Sequence, residues 1–144
     1  MKNINENAPV ISSKIIHINA GIEEVWKVLT DIDKWAQWQT DISKSKLNGK
    51  LAPGNTFNWK SGGAKIQSRL HTVDPLKYFG WTGKAFGMSA IHNWTLTEKD
   101  GKVMVLVEES MEGFLVGLFK KAFRKNLEKG MQNWLELLKT ECEK

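Results

Sequence analysis

Few residues in this 144-residue chain are of the types that do acid–base, nucleophilic or metal chemistry. The histidines are His17, His71 and His92, and the one cysteine is Cys142. Their spacing matches no metal-ligand pattern, since there is no HExxH, CxxC or EF-hand loop, and Asp31 and Asp33 read as a helix end followed by an N-cap. Gly80, Gly83 and Gly87 fall within or between predicted strands and lack the strand-to-helix context of a dinucleotide fingerprint. No metal and no cofactor is therefore expected. A Ser or Cys nucleophile needs a base within reach and a third group to orient that base, and no such set is visible. Cys142 has no partner for an internal disulfide, and so near the end of the chain neither a structural nor a catalytic use is expected of it. His92 is left as the candidate acid–base residue.

The remaining chemical signal is charge. The formal net charge is +5, and Lys120, Lys121, Arg124, Lys125 and Lys129 crowd one segment, whereas no second basic run is apparent elsewhere. Periodicity makes this cluster the solvated face of a helix. Nucleic-acid binding is not expected, because the aromatic residues that would stack on bases fall on faces predicted to be buried.

The elements that must position these groups follow from pattern. The length fits one domain spanning 1–144, with an ordered core of about 11–141 behind a polar, mobile start. No apolar run approaches the roughly 20 residues of a membrane span. The N-terminus lacks the apolar stretch of a secretory signal, which makes the cytoplasm the expected location. Ile11 to Ile18 is β-branched and short, as in a strand. Ile22, Val25, Trp26 and Leu29 then repeat with helical spacing, and Asp33 is placed to cap a second short helix whose Trp35 and Trp38 share a face. From Ile42 to Met111 turn signals recur about every ten residues, predicting an antiparallel meander of about six strands. Phe114 to about Thr140 contains no proline and reads as one long helix, with Leu115, Phe119, Phe123, Leu127, Trp134 and Leu138 on its apolar face. The predicted class is α+β.

Strand alternation assigns an inner face. Met88, Ala90, His92, Trp94 and Leu96 share one side of their strand, as do Phe57 with Trp59, Ile66 with Ser68 and Leu70, and Phe79 with Trp81 and Gly83. Val103 to Val107 is apolar on both sides and cannot be oriented. Seven tryptophans are several times ordinary usage. Large rings interspersed with Ser68, Gly83 and Gly130 suit the lining of a cavity, the plainer alternative being that the rings simply pack. The candidate ligand-binding set is Trp38, Phe57, Trp59, Ile66, Ser68, Leu70, Trp81, Met88, His92, Trp94, Phe119, Phe123, Asn126 and Gly130. His92 and Asn126 are its expected polar end, both pointing inward.

INAGIEEVWKVLTDIDKWAQWQ resembles the opening of the START-like, or SRPBCC, superfamily. Leu51-Ala52-Pro53-Gly54, Val73-Asp74-Pro75, Phe79-Gly80-Trp81-Thr82-Gly83, His92-Asn93-Trp94 and the C-terminal helix follow in the order of its polyketide cyclase/dehydrase-type branch, over roughly residues 12 to 140. The resemblance implies a helix-grip fold, in which a seven-stranded antiparallel sheet wraps around the C-terminal helix and leaves an apolar cavity. It implies a carrier or sensor for a small hydrophobic, lipid-like, aromatic or polyketide-like molecule. The alternative is a cofactor-independent polyketide cyclase or aromatase with His92 as the acid–base residue. The expected assembly is a monomer or weak homodimer.

Overall fold

The computed structural model describes every residue, Met1–Lys144. Its strands are β1 (Val10–Ile18), β2 (Ile42–Asn48), β3 (Thr56–Ser61), β4 (Ala64–Asp74), β5 (Tyr78–Ala85), β6 (Met88–Lys99) and β7 (Lys102–Glu112). They form one antiparallel sheet in the order β1-β7-β6-β5-β4-β3-β2, so only the β1–β7 pairing joins distant parts of the chain. The turns Gly62-Gly63, Phe86-Gly87 and Asp100-Gly101 carry positive φ at both residues, the backbone hand that matches hairpin twist. The α+β helix-grip arrangement is as expected: the sheet is closed by a helix, α1 (Ile22–Thr30), and a 3-10 helix (Ile32–Gln37) after β1, and by α2 (Phe114–Leu118) and α3 (Lys120–Cys142) at the C-terminus.

The local expectations need three corrections. Asp33 does not cap the second helix, which is 3-10; its carboxylate instead accepts the Leu47 N–H at 2.7 Å, satisfying a donor on edge strand β2. The single C-terminal helix is broken at Phe119, whose φ of −118° and ψ of 47° leave the helical region. The break changes the phase of the apolar stripe, so Val116 is buried while Leu115 and Phe119 face outward. Cys142 is structural after all, since it lies in the hydrophobic core. Burial pushes its thiol pKa up to about 12, with Glu24, Glu141 and Glu143 adding to the rise, which removes it as a nucleophile.

The polar start also has a place. It runs along the outer face of the sheet, where Asn93 donates to the Lys2 carbonyl at 2.7 Å and the Asn5 N–H donates to Ser110 Oγ at 2.9 Å. At the opposite terminus Glu143 accepts the Asn19 N–H at 2.8 Å, tying the end of α3 to the end of β1, and Lys139 beside it holds the Glu143 carboxyl below the usual carboxylate range.

Trp35 sits at the centre of the core, fully buried, with its indole N–H donated to the Leu29 carbonyl at 2.9 Å. Its ring meets Phe57, Trp59, Trp81 and Trp134 at centroid distances of 5.5, 5.7, 5.5 and 5.1 Å, mostly edge to face. Met131, Trp134, Leu135 and Leu138 bury the C-terminal half of α3 against it and against β1.

Candidate functional site

Register sorts the inner face of the sheet into rows, because directly paired residues of antiparallel strands project to the same side. The outermost row contains Trp59 paired with Ile66, and Ala85 paired with Met88. The next, about 7 Å further in, runs Phe57, Ser68, Gly83, Ala90, Met111. Three consecutive positions of that row are small, and Ala90 remains partly accessible. The third row runs Leu70, Trp81, His92, Glu109, Ser12. Small residues thus lie between a partly open rim and the row holding His92 and Glu109, Ser68 and Gly83 being buried and only Ala90 partly accessible.

In the third row His92 is on the inner face as expected and nearly buried. Its ring stacks on Trp81 at 4.5 Å with the planes 9° apart. Nδ1 bonds to Glu109 Oε1 across the strand pair. An ionised carboxylate only accepts, so Nδ1 carries the hydrogen of this bond and Nε2 points away from Glu109. Nε2 is buried and has no protein partner. Nor has the indole N–H of Trp94, whose ring centroid lies 5.3 Å from that of His92, so two buried ring nitrogens in neighbouring rings are without a partner. The sequence reading missed Glu109 because β7 could not be oriented from its apolar run; pairing with β6 decides its face.

The other predicted residues separate into four groups. Phe57, Ser68, Leu70, Trp81 and Trp94 are buried, and all but Ser68 pack in the hydrophobic core. Ser68 accepts the Trp59 indole N–H at 3.0 Å. Trp59, Ile66 and Met88 line an open cavity of about 1460 Å³. Trp38 is half-buried against Trp134, with centroids 5.8 Å apart. The helix residues are not brought to this cavity: Asn126 is exposed, Phe119 faces outward, and Phe123 and Gly130 are half-buried outside it. The inward placement of Asn126 is thereby corrected, since α3 packs closely only through its C-terminal half. The open cavity lies at the ends of β2–β6 and no residue of α3 lines it, so it is not the expected cavity between sheet and helix.

Around this cavity the fold assembles a second basic cluster that the linear sequence conceals. Lys44, Lys60 and Lys65 are directly opposed across β2, β3 and β4, and Lys46 and Lys84 also line the cavity. Like charges so placed repel, and none of the five is in an ion pair. On the outer face His71 lies across Gly80 from Asn93, where a Cβ on Gly80 would come within 2.4 Å of the imidazole. Burial lowers the His71 pKa below 6.5, against the pull of Asn93 and aided by the charge of Lys2.

Comparison with known proteins agrees with this architecture. Residues 10–143 match the family model described as polyketide cyclase / dehydrase and lipid transport. Among solved structures, a hypothetical protein from Helicobacter pylori superposes with a TM-score of 0.85 at 18% identity, covering 99% of this chain and 97% of that one. The Zhui aromatase/cyclase from Streptomyces gives 0.78 at 15%, covering 92% and 93%. A START superfamily protein from Mycobacterium smegmatis gives 0.67 at 12%, covering 89% and 98%. No curated protein matches the sequence. At these identities the superpositions show the fold alone.

Proposed function

Since the chain belongs to the polyketide cyclase / dehydrase and lipid transport family, we propose that it binds a small hydrophobic molecule on the inner face of the grip, as a carrier or sensor. Entry would be at the open cavity lined by Trp59, Ile66 and Met88, with the row Ser68, Gly83 and Ala90 lying between it and the His92–Glu109 pair. The observation that carries this reading is the buried, unpartnered Nε2 of His92 beside this row of small residues. A buried polar group without a partner costs about 1–3 kcal/mol, which a hydroxyl of a bound molecule would offset. Trp59, Ile66 and Met88 supply apolar contact at the rim.

A second reading follows from the same pair. Glu109 fixes the imidazole tautomer and stabilises the imidazolium, so His92 Nε2 could take a proton from a substrate carbon or oxygen and return it, as a cofactor-independent cyclase or aromatase requires. In that case the pocket shapes the substrate and His92 moves the proton.

Titration with an apolar probe, read by tryptophan emission, tests the site. Ala90→Phe should weaken probe binding by about tenfold or more by filling this row, with the fold retained. Removing the imidazole alone would orphan Glu109, so the pair is replaced together: His92→Leu with Glu109→Leu should weaken hydroxylated ligands by about 1–2 kcal/mol and spare apolar probes. Probe binding that ignores Ala90→Phe would place the ligand elsewhere. Turnover of a poly-β-keto substrate, abolished in the double variant, would select the enzyme reading.

A further inference from the structure

The end of the molecule that carries the open cavity also carries its most exposed large apolar side chains. Phe114 and Phe86 are 82% and 73% exposed, and Leu118 and Phe119 are more than half exposed. They converge on one edge, because Gly113, which precedes α2, lies against the Phe86-Gly87 turn: a Cβ on Gly113 would come within 2.7 Å of the Gly87 carbonyl oxygen. Phe86 is doubly unusual. It stands at a turn tip with φ of 49°, where glycine, asparagine or aspartate is the ordinary choice, and most of its ring is exposed. Neither core packing nor turn chemistry accounts for a phenylalanine there, where it also borders the open cavity.

Apart from Glu112, which lies just before Gly113, the charge around this edge is positive. From Phe114 to Leu127 there is no acidic residue, while Lys120, Lys121, Arg124 and Lys125 follow immediately behind the apolar tip. Lys84 precedes Phe86 on the other side and continues into the lysine cluster of β2–β4. Phenylalanine and leucine at the tip, with lysine and arginine behind, is the pattern of a segment lying in a membrane interface, where apolar side chains reach the acyl region and cations meet phosphates. Self-association through this edge would bring two such cationic clusters together. A nucleic acid would answer the charge but not the aliphatic Leu115 and Leu118, which offer no stacking surface.

We propose that this edge docks reversibly on an anionic phospholipid bilayer, with Phe86, Phe114, Leu118 and Phe119 inserted among the acyl chains and the cations of α3 against the headgroup phosphates. Docking turns the mouth of the cavity toward the membrane. The inference does not rest on what the interior binds, so probe titration and membrane binding succeed or fail separately.

Co-sedimentation of the full chain with vesicles tests it, using phosphatidylcholine mixed with phosphatidylglycerol against phosphatidylcholine alone. The chain should bind the anionic vesicles selectively and lose binding as salt is raised. Two variants separate the contributions, both at exposed positions and both checked for native near-UV circular dichroism. Phe86→Ser with Leu118→Ser should weaken anionic-vesicle binding by about tenfold or more. Replacing Lys120, Lys121, Arg124 and Lys125 by Gln should do the same. Absence of sedimentation with anionic vesicles, or binding untouched by the serine replacements, would overturn the proposal. Salt-dependent binding of single-stranded DNA without vesicle binding would reassign the basic edge to nucleic acid.

Discussion

The two halves of the concave face of this sheet are built from the same strands, yet one is sealed and the other is open. In the sealed half Phe79, Trp81, Trp94, Leu96 and the valines of β7 are buried beneath Trp35, Trp134, Leu135 and Leu138. In the open half Trp59, Ile66, Met88 and Ala90 stay partly accessible, and the helix segment at that end is exposed over most of its surface. The strands differ in side-chain size, since the open half carries Ser68, Gly83 and Ala90 where the sealed half carries large apolar residues. The cover differs as well: the 3-10 helix inserts Trp35 into the core, while the helix break at Phe119 leaves most of α2 and the start of α3 exposed at the open end. A grip of this kind closes only as far as its covering elements carry apolar side chains that reach the sheet.

The comparison can be broken most forcefully at its centre. Trp35→Ala should destabilise the protein by about 3–5 kcal/mol, measured by denaturant unfolding, because it removes the shared neighbour of four aromatic rings and leaves a cavity the core cannot collapse into. A loss below about 1 kcal/mol would mean that the sealed half does not depend on its plug. A subtler test uses the outer surface over the sealed half. The His71 imidazole is held below its ordinary pKa, so the unfolded chain takes up a proton before the folded one. That contribution is intact above pH 6.5 and is lost as the pH falls from 6.5 toward the lowered folded value. Thermal melts should therefore show a fall in Tm on acidification below that point, and His71→Gln should make the fall shallower; parallel curves would refute the linkage. The smallest effect belongs to the open half, where Met88→Ala should cost less than about 1 kcal/mol, since its side chain is only half covered and water fills the space it leaves. A cost equal to that of a sealed core residue would erase the distinction between the halves.

Much of the architecture was legible because it depends on local periodicity. The turn signals Ser61-Gly62-Gly63, Ala85-Phe86-Gly87 and Lys99-Asp100-Gly101 all became hairpin turns, and the alternation of Met88 to Leu96 correctly set His92 on the inner face. The site was legible only in part. Glu109 is invisible without the β6–β7 register, since the preceding apolar run has no polar side to orient it. Asn126 was misplaced because helical periodicity defines a face but not how far along the helix that face is covered. Trp35 was recognised as sharing a face with Trp38, but nothing local says that it fills the interior which the strand tryptophans were expected to leave empty.

By itself the sequence determined the order of the strands and the place of the helical segments, the absence of a helix long and apolar enough to cross a membrane, and the aromatic bias of one sheet face, while the break at Phe119 was not legible. These follow from the spacing of side chains along a single element, where geometry repeats every two or 3.6 residues. Only the tertiary structure decided which rings pack and which line space, which carboxylate meets His92, and that lysines scattered over β2–β5 gather around one cavity beside a protruding apolar edge. Each of these depends on the register between strands and on the angle at which a helix meets the sheet, and those are set by contacts between residues far apart in the chain.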